Sequence, residues 1–122
     1  MKKILIVEDD KYLANAHRVK LTKSGFDTQI AFDGDEALHV IPSFQPDLII
    51  LDLIMPLKDG FAVLNDLKAN KDWENIPVIV TSNLSQKEDI DRALKLGASD
   101  YIVKSNVDLN VLVTKINKLL SK

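Results

Sequence analysis

Residues 48–60 read LIILDLIMPLKDG, in which four aliphatic residues lead directly to an aspartate. So short an apolar run fits a strand that is buried on both faces, whereas a membrane span takes about 20 apolar residues. Comparable runs occur at residues 4–7, 28–31, 78–80 and 101–103, with longer mixed segments between them. This alternation predicts a parallel α/β sheet covered by helices on both faces. The runs at 4–7, 48–51 and 78–80 are almost purely Ile, Leu and Val, so we expect these three to be the central strands.

The segments between the runs carry the spacing and the end signals of helices. The last segment places apolar residues at intervals of three and four, namely Leu109, Leu112, Val113, Ile116, Leu119 and Leu120. Asp10 is expected to cap the first helix, and acids at 33–36 open the second, which Pro42 should end early. Gly25 and Gly97 stand where the first and fourth helices should stop. We therefore expect five strand–helix units in a single domain, residues 1–122.

Composition limits the partners and the chemistry. Of the 122 residues, 46% are apolar and 28% charged, and the formal charge of -2 comes from interleaved signs, so no basic stripe attracts nucleic acid or anionic lipid. The absence of cysteine excludes disulfides, thiolate metal sites and cysteine nucleophiles. The basic residues Lys2 and Lys3 are followed by only four apolar residues, which favours a buried strand over a signal peptide. We expect a cytoplasmic protein that binds neither nucleic acid nor membrane.

Polar residues end the predicted strands, and the carboxyl ends of parallel strands are where α/β sheets bind ligands. These residues are Glu8, Asp9, Asp52, Thr81, Ser82 and Lys104. Carboxylates forced together repel one another, and a hard divalent ion with oxygen ligands, Mg²⁺ above all, relieves that repulsion. An aspartate beside the metal can accept a phosphoryl group as an acyl phosphate, with Lys104 and a Ser82 hydroxyl holding the phosphoryl oxygens.

Three segments together resemble the receiver domains of two-component response regulators, over essentially the whole chain. They are ILIVEDD at 4–10, LDLIMPLKDG at 51–60 and GASDYIVK at 97–104. The resemblance implies a flavodoxin-like, doubly wound (βα)5 three-layer sandwich with strand order 2-1-3-4-5. It also implies a signalling switch that catalyses only its own phosphorylation and slow dephosphorylation, with a histidine kinase or a histidine phosphotransfer protein as phosphodonor.

The same resemblance assigns roles to the residues at the sheet edge. Asp52 is implied as the phosphoacceptor, Asp9 as a direct metal ligand, and Glu8 as a ligand acting largely through water. The backbone carbonyl of Ile54 is implied as a further ligand, for Mg²⁺ with Mn²⁺ able to substitute. Lys104 is implied to hold the phosphoryl group.

The switch hydroxyl and the switch aromatic are also implied by the resemblance. Family spacing places the hydroxyl five residues after the strand-opening Pro77 and 22 before Lys104, and both counts lead to Ser82 rather than Thr81. Adjacent strand residues face opposite sides, so only one of the two can point at the phosphoryl group. Tyr101 is similar to the aromatic residue that turns inward when the hydroxyl moves.

The sequence departs from the family pattern at three positions. Ser105 stands where the family has a proline joined by a cis peptide, and we predict a trans bond between Lys104 and Ser105 because a cis bond here costs about 2.5–4 kcal/mol. Ile54 and Leu84 occupy positions that tune phosphate lifetime, and both are apolar. Because neither can orient an attacking water, we expect the acyl phosphate to hydrolyse more slowly than in relatives with polar residues there.

Other interpretations remain beside this one. A phosphatase with an aspartyl intermediate would need a second acid where Ile54 stands, and a nucleotide or flavin module would need a glycine-rich loop after the first strand. A degenerate receiver that only docks is disfavoured by the intact acid set. His17 shares a helical stripe with Leu13 and Leu21, which predicts partial burial rather than ligation. We expect a monomer or weak homodimer, no output domain after the last helix, and an unknown downstream protein.

Overall fold

Strands and helices alternate strictly in the computed structural model, which describes residues 1–104 and 108–121. In chain order the elements are β1 (Lys3–Val7), α1 (Lys11–Lys23), β2 (Asp27–Ala31), α2 (Gly34–Phe44), β3 (Leu48–Asp52), α3 (Gly60–Ala69), β4 (Val78–Ser82), α4 (Lys87–Lys95), β5 (Asp100–Val103) and α5 (Leu109–Leu120). The strands form one sheet in the order β2-β1-β3-β4-β5, and every neighbouring pair is parallel. The predicted flavodoxin-like order is confirmed.

The sheet separates two hydrophobic cores. Because side chains alternate along a strand, Leu5, Leu51 and Val80 pack against α2, α3 and α4, in what we call the first core. Ile50 and Ile79, on the opposite face, pack against α1 and α5 in the second core. All residues of β3 and β4 are buried, and so are four of the five in β1, which confirms that these are the central strands.

Most helix ends follow the signals in the sequence. The Asp10 carboxylate accepts hydrogen bonds from the backbone N–H groups of Tyr12 and Leu13, which confirms it as the cap of α1. Gly25 and Gly97 follow α1 and α4 with φ of 95° and 112°, a region that glycine enters without a steric penalty. These ends fix where each following strand enters the sheet.

The prediction that Pro42 ends the second helix early is wrong. The helix α2 continues to Phe44 with Pro42 inside it. Proline removes only the one N–H that would have bonded four residues back, and the exposed ring does not enter the core. Ile41 is buried in the first core, and its carbonyl accepts a 2.8 Å hydrogen bond from Gln45, whose left-handed backbone ends the helix. Packing of the last turn outweighs the lost bond.

His17 is more deeply buried than predicted. Its side chain is 2% exposed on the inner side of α1, and Nδ1 has no hydrogen-bond partner among the described residues. Burial, with a smaller effect from the Lys104 charge, lowers the pKa of His17 to about 4. The imidazole is therefore neutral at physiological pH and packs as part of the core.

Candidate functional site

The carboxylates of Glu8, Asp9 and Asp52 converge at the carboxyl edge of the sheet. Glu8 directly follows β1 and donates its N–H to the Ala31 carbonyl at the end of β2, whereas Asp52 is the last residue of β3. One oxygen from each of the three side chains lies within 4.8 Å of the others. Glu8 and Asp52 are buried, at 2% and 3% exposure, and Asp9 is exposed. Two of the three carboxylates are therefore shielded from solvent, and the third is accessible to it.

Lys104 contributes to this cluster from the end of the edge strand β5. Its Nζ lies 2.7 Å from Oε2 of Glu8 and 3.0 Å from Oδ2 of Asp52. Lys104 directly follows β5, so the side chain reaches past β4 to the ends of β3 and β1. The structure thus brings together Asp9, Asp52 and Lys104, the three residues whose proximity the sequence interpretation requires.

Together these groups form a cavity of about 300 Å³, which we call the acid pocket. Its lining residues are Glu8, Asp9, Asp10, Asp52, Ile54, Asn83 and Lys104. Two of them, Asp10 and Asn83, were not predicted as site residues. Asp10 is engaged as the cap of α1, whereas Asn83 is an exposed residue immediately after β4. An asparagine in a turn carries no signal in the sequence that would single it out.

Burial sets the proton affinities of the cluster. It raises the pKa of the Asp52 carboxyl, and the hydrogen bond from Lys104 offsets that rise only in part. It also raises the pKa of Glu8, which Lys104 lowers and the Asp52 charge raises further. Burial lowers the pKa of Lys104, but the contacts with the two carboxylates outweigh it and leave that pKa raised. Three carboxyl groups and one ammonium therefore share this cluster.

This donor set fits a hard divalent cation. Carboxylate oxygens from three residues converge within 4.8 Å, two of them buried, which is the chemistry that Mg²⁺ and Mn²⁺ prefer. Ile54, the fourth predicted ligand, lines the same pocket, and its N–H donates to Oδ1 of Asp52 at 3.3 Å. That bond ties the loop after β3 to the acidic side chain.

Ser82, Leu84 and Tyr101 form a separate hydrogen-bonded group next to the pocket. The fully buried Ser82 Oγ accepts a 3.2 Å bond from the Leu84 N–H, and the Tyr101 hydroxyl donates to the Leu84 carbonyl at 2.7 Å. None of the three is among the described residues that line the acid pocket. Tyr101 and Leu84 pack against the first core, and burial raises the pKa of the Tyr101 hydroxyl.

Thr81, the alternative to Ser82, pairs with Asp52 across β3 and β4. Ile79, two residues earlier on the same strand, packs in the second core, so the strand alternation turns Thr81 toward that core and Ser82 toward the first. Thr81 is buried, and its hydroxyl has no hydrogen-bond partner among the described residues. The two adjacent hydroxyls therefore face different surroundings, and the choice of Ser82 as the one that reaches the phosphoryl group stays a prediction.

The loop after β3 is held tightly against the phosphoacceptor candidate. A Cβ added to Gly60 would lie 2.2 Å from the Asp52 carbonyl oxygen, so only glycine allows α3 to begin this close. The Gly60 N–H donates to the Leu53 carbonyl at 2.9 Å, and Asp59 caps the helix. Leu57 adopts a φ of 67° in the same loop. The backbone of residues 53–59 is thereby fixed beside Asp52.

The bond between Lys104 and Ser105 lies outside the described residues. The trans peptide therefore stays a prediction. Within residues 1–104 and 108–121, the helices are all too short or too polar to cross a bilayer.

Comparison with known proteins matches nearly the whole chain. A family model described as the response regulator receiver domain matches residues 4–117, a span that includes every lining residue of the acid pocket. The DNA-binding dual master transcriptional regulator RpaA of Synechocystis sp. is 34% identical over 122 residues, all of this chain and 50% of RpaA. The chain spans half or less of the length of the first curated relatives that it matches.

Solved structures agree with this match. The Francisella response regulator 1452 receiver domain is 36% identical, with a TM-score of 0.91 over 99% of this chain and 98% of that one. The BeF3-activated N-terminal receiver domain of Klebsiella pneumoniae RstA is 32% identical, with a TM-score of 0.92 over 99% of this chain and 100% of that one.

Proposed function

Because this chain belongs to the response regulator receiver domain family, we propose that it is a signalling switch that accepts a phosphoryl group on Asp52. The observation that supports this most directly is the contact of Asp52 with Lys104 in a pocket that also holds the carboxylates of Glu8 and Asp9. The chain is a receiver domain of a two-component system. The phosphodonor is a histidine kinase or a histidine phosphotransfer protein, and the cytoplasmic location predicted from the sequence is part of this proposal.

The Asp52 carboxylate is almost fully buried, so a phosphodonor would reach it through the acid pocket. An oxygen of Asp52 attacks phosphorus, the bond from phosphorus to the donor nitrogen breaks, and the imidazole leaves with the electron pair and a solvent proton. The Lys104 ammonium lies 3.0 Å from Oδ2 of Asp52. From this position it can move to a phosphoryl oxygen once the phosphoryl group is attached. Glu8, Asp9, Asp52 and the Ile54 carbonyl would hold Mg²⁺ or Mn²⁺. When bound, the metal supplies positive charge that offsets the repulsion between these acids and the incoming phosphoryl group.

The group of Ser82, Leu84 and Tyr101 would carry the signal away from Asp52. When the Ser82 hydroxyl turns toward a phosphoryl oxygen, it gives up the bond from the Leu84 N–H. The turn at Leu84 then shifts, the Tyr101 hydroxyl loses the Leu84 carbonyl, and the ring turns inward. The surface formed by α4, β5 and α5 changes with it, so that the affinity for a downstream protein changes.

Partner docking would use the apolar side chains near the acid pocket. Tyr12 is 92% exposed in the first turn of α1, two residues after the capping Asp10, and Leu57 is 85% exposed in the loop after β3. Ile54 is 58% exposed in the pocket wall. Large apolar side chains exposed beside a reactive carboxylate suit a partner that presents a phosphohistidine from an apolar surface. Oligomeric state stays a prediction of monomer or weak homodimer.

The lifetime of the phosphoryl group depends on what surrounds it. Ile54 lines the pocket but has no group that can orient water, and the Leu84 side chain packs against the first core. We therefore propose that hydrolysis is slower than in relatives with polar residues at these two positions. Placing a polar residue at position 84 and measuring the half-life of the phosphoprotein tests this, and an unchanged half-life would contradict the assigned role of Leu84.

Intact mass after incubation with a small phosphodonor and Mg²⁺ tests the function. The wild type should gain one phosphoryl group and Asp52→Asn should gain none, because the amide is not a nucleophile. Asp72→Asn is the matched control, since Asp72 is an exposed aspartate in the turn before β4, and it should behave as the wild type does. A phosphoryl group on Asp52→Asn, or none on the wild type, would contradict the proposal.

A further inference from the structure

Asn83 is distinctive among the residues that line the acid pocket. Of the described lining residues it alone has an uncharged side chain that can form hydrogen bonds. It directly follows β4, is exposed, and makes no side-chain hydrogen bond with the described part of the chain. We infer that the Asn83 carboxamide orients the water that hydrolyses the aspartyl phosphate, an inference that rests on the proposed phosphorylation of Asp52.

The other polar side chains of the pocket already have a contact or a proposed role. Asp10 accepts two backbone hydrogen bonds as the cap of α1, and Glu8 lies 2.7 Å from the Lys104 ammonium. Asp9 completes the cluster of carboxylates that suits a metal. Ile54 is apolar. Asn83 therefore remains as the polar lining residue to which neither a contact nor a role has been assigned.

The position of Asn83 also suits the direction of attack. In-line displacement requires water to approach phosphorus from the side opposite the Asp52 oxygen. Asp52 is buried at the floor of the pocket, so that side is the solvent-facing mouth, where the exposed Asn83 stands. Water must cross this mouth to reach the phosphoryl group.

The chemistry needs orientation rather than a base. The Asn83 Oδ1 accepts a hydrogen bond from the water, which directs a lone pair of the water oxygen toward phosphorus. The new P–O bond forms as the bond between phosphorus and the Asp52 oxygen breaks. The carboxylate leaves with the electron pair, the water proton passes to solvent, and inorganic phosphate is released. The amide itself gains and loses no proton.

Two substitutions separate orientation from simple blockage. Asn83→Ala removes the amide and opens the mouth, whereas Asn83→Leu removes the amide but keeps its bulk. If Asn83 orients water, both variants should lengthen the half-life of the phosphoprotein about five- to tenfold, the effect of losing one hydrogen bond in the transition state. The half-life is measured after loading, so it does not depend on how fast each variant accepts the phosphoryl group from the small donor.

The experiment loads each protein with a small phosphodonor and Mg²⁺, removes the donor by gel filtration, and follows the decay by intact mass. Asn65→Ala is the matched control, an exposed asparagine of α3 whose loss should leave the half-life unchanged. A shorter half-life for Ala with a longer one for Leu would show that bulk alone governs water entry and would overturn the inference. Shortening in both would assign the amide to the phosphoryl oxygens instead. A wild type that never gains a phosphoryl group would refute the proposed function itself, which is a different result.

Discussion

Replacing Lys104 with methionine tests the charge balance of the pocket. The ammonium lies 2.7 Å from Glu8 Oε2 and 3.0 Å from Asp52 Oδ2. At an effective dielectric constant of about 20, these separations correspond to gross attractions of about 6 and about 5.5 kcal/mol, which desolvation offsets in large part. Since both carboxylates are almost fully buried, removing their partner should lower the free energy of unfolding by about 3–5 kcal/mol.

Magnesium should reverse most of that loss. A divalent cation replaces the missing charge, and binding at 100 times the dissociation constant adds about 2.7 kcal/mol to the free energy of unfolding. The wild type should gain less from Mg²⁺, because Lys104 already occupies the carboxylates. Urea unfolding with a chelator and with saturating Mg²⁺ measures both effects, and Lys71→Met, an exposed lysine in the turn before β4, serves as the control.

The pH dependence of the free energy of unfolding of Lys104→Met tests the same charge balance independently. The pKa values of Glu8 and Asp52 are already raised by burial, and loss of the ammonium raises them further. A raised pKa in the folded state means stability that is present at low pH and lost as pH rises through that pKa. In chelator, the deficit should therefore be larger at pH 8 than at pH 5. A deficit under about 1 kcal/mol, or one that Mg²⁺ leaves unchanged, would refute the electrostatic reasoning, since breaking a buried pair should cost several times more.

Two further changes test the packing around the site. Gly60→Ala should lower the free energy of unfolding by about 1–3 kcal/mol in a urea titration, because its Cβ would lie 2.2 Å from the Asp52 backbone carbonyl, and an unchanged midpoint would contradict that close approach. His17, with a folded pKa of about 4 against 6.5 when exposed, should cost the protein about 3 kcal/mol of stability as pH falls from 6.5 to 4, because only the unfolded chain takes up the proton over that range. Urea unfolding at both pH values should show that loss in the wild type but not in His17→Leu, and an equal loss in both would contradict it.

The fold and the acid cluster could be predicted because each depends on a local pattern. Apolar runs of four residues define strands, and the polar residue that ends each run must lie at the carboxyl edge of a parallel sheet. Glu8, Asp52 and Lys104 were placed together on this ground, and the structure confirms their proximity. Their chemical roles remain proposals, since proximity alone does not establish them.

The errors came from effects that a local pattern does not contain. Proline weakens a helix wherever it stands, but at Pro42 the tertiary packing of Ile41 decides the outcome. Whether His17 is half or wholly buried depends on how closely α1 and α5 approach the sheet, which no periodicity records. Asn83 enters the pocket because of the turn after β4, and a turn is fixed by backbone angles that a single asparagine does not determine.

The reach of Lys104 past β4 also affects the order in which the protein can be completed during synthesis. Glu8 and Asp52 leave the ribosome well before Lys104, and β4 must lie beside β3 before β5 can add to the sheet. Until that last strand docks, the nascent chain carries an acidic edge without its own counterion. The side chain that is proposed to hold phosphate therefore also stabilises the docking of the final strand. A partly synthesised chain lacks both this stabilising contact and the ammonium needed for phosphoryl transfer.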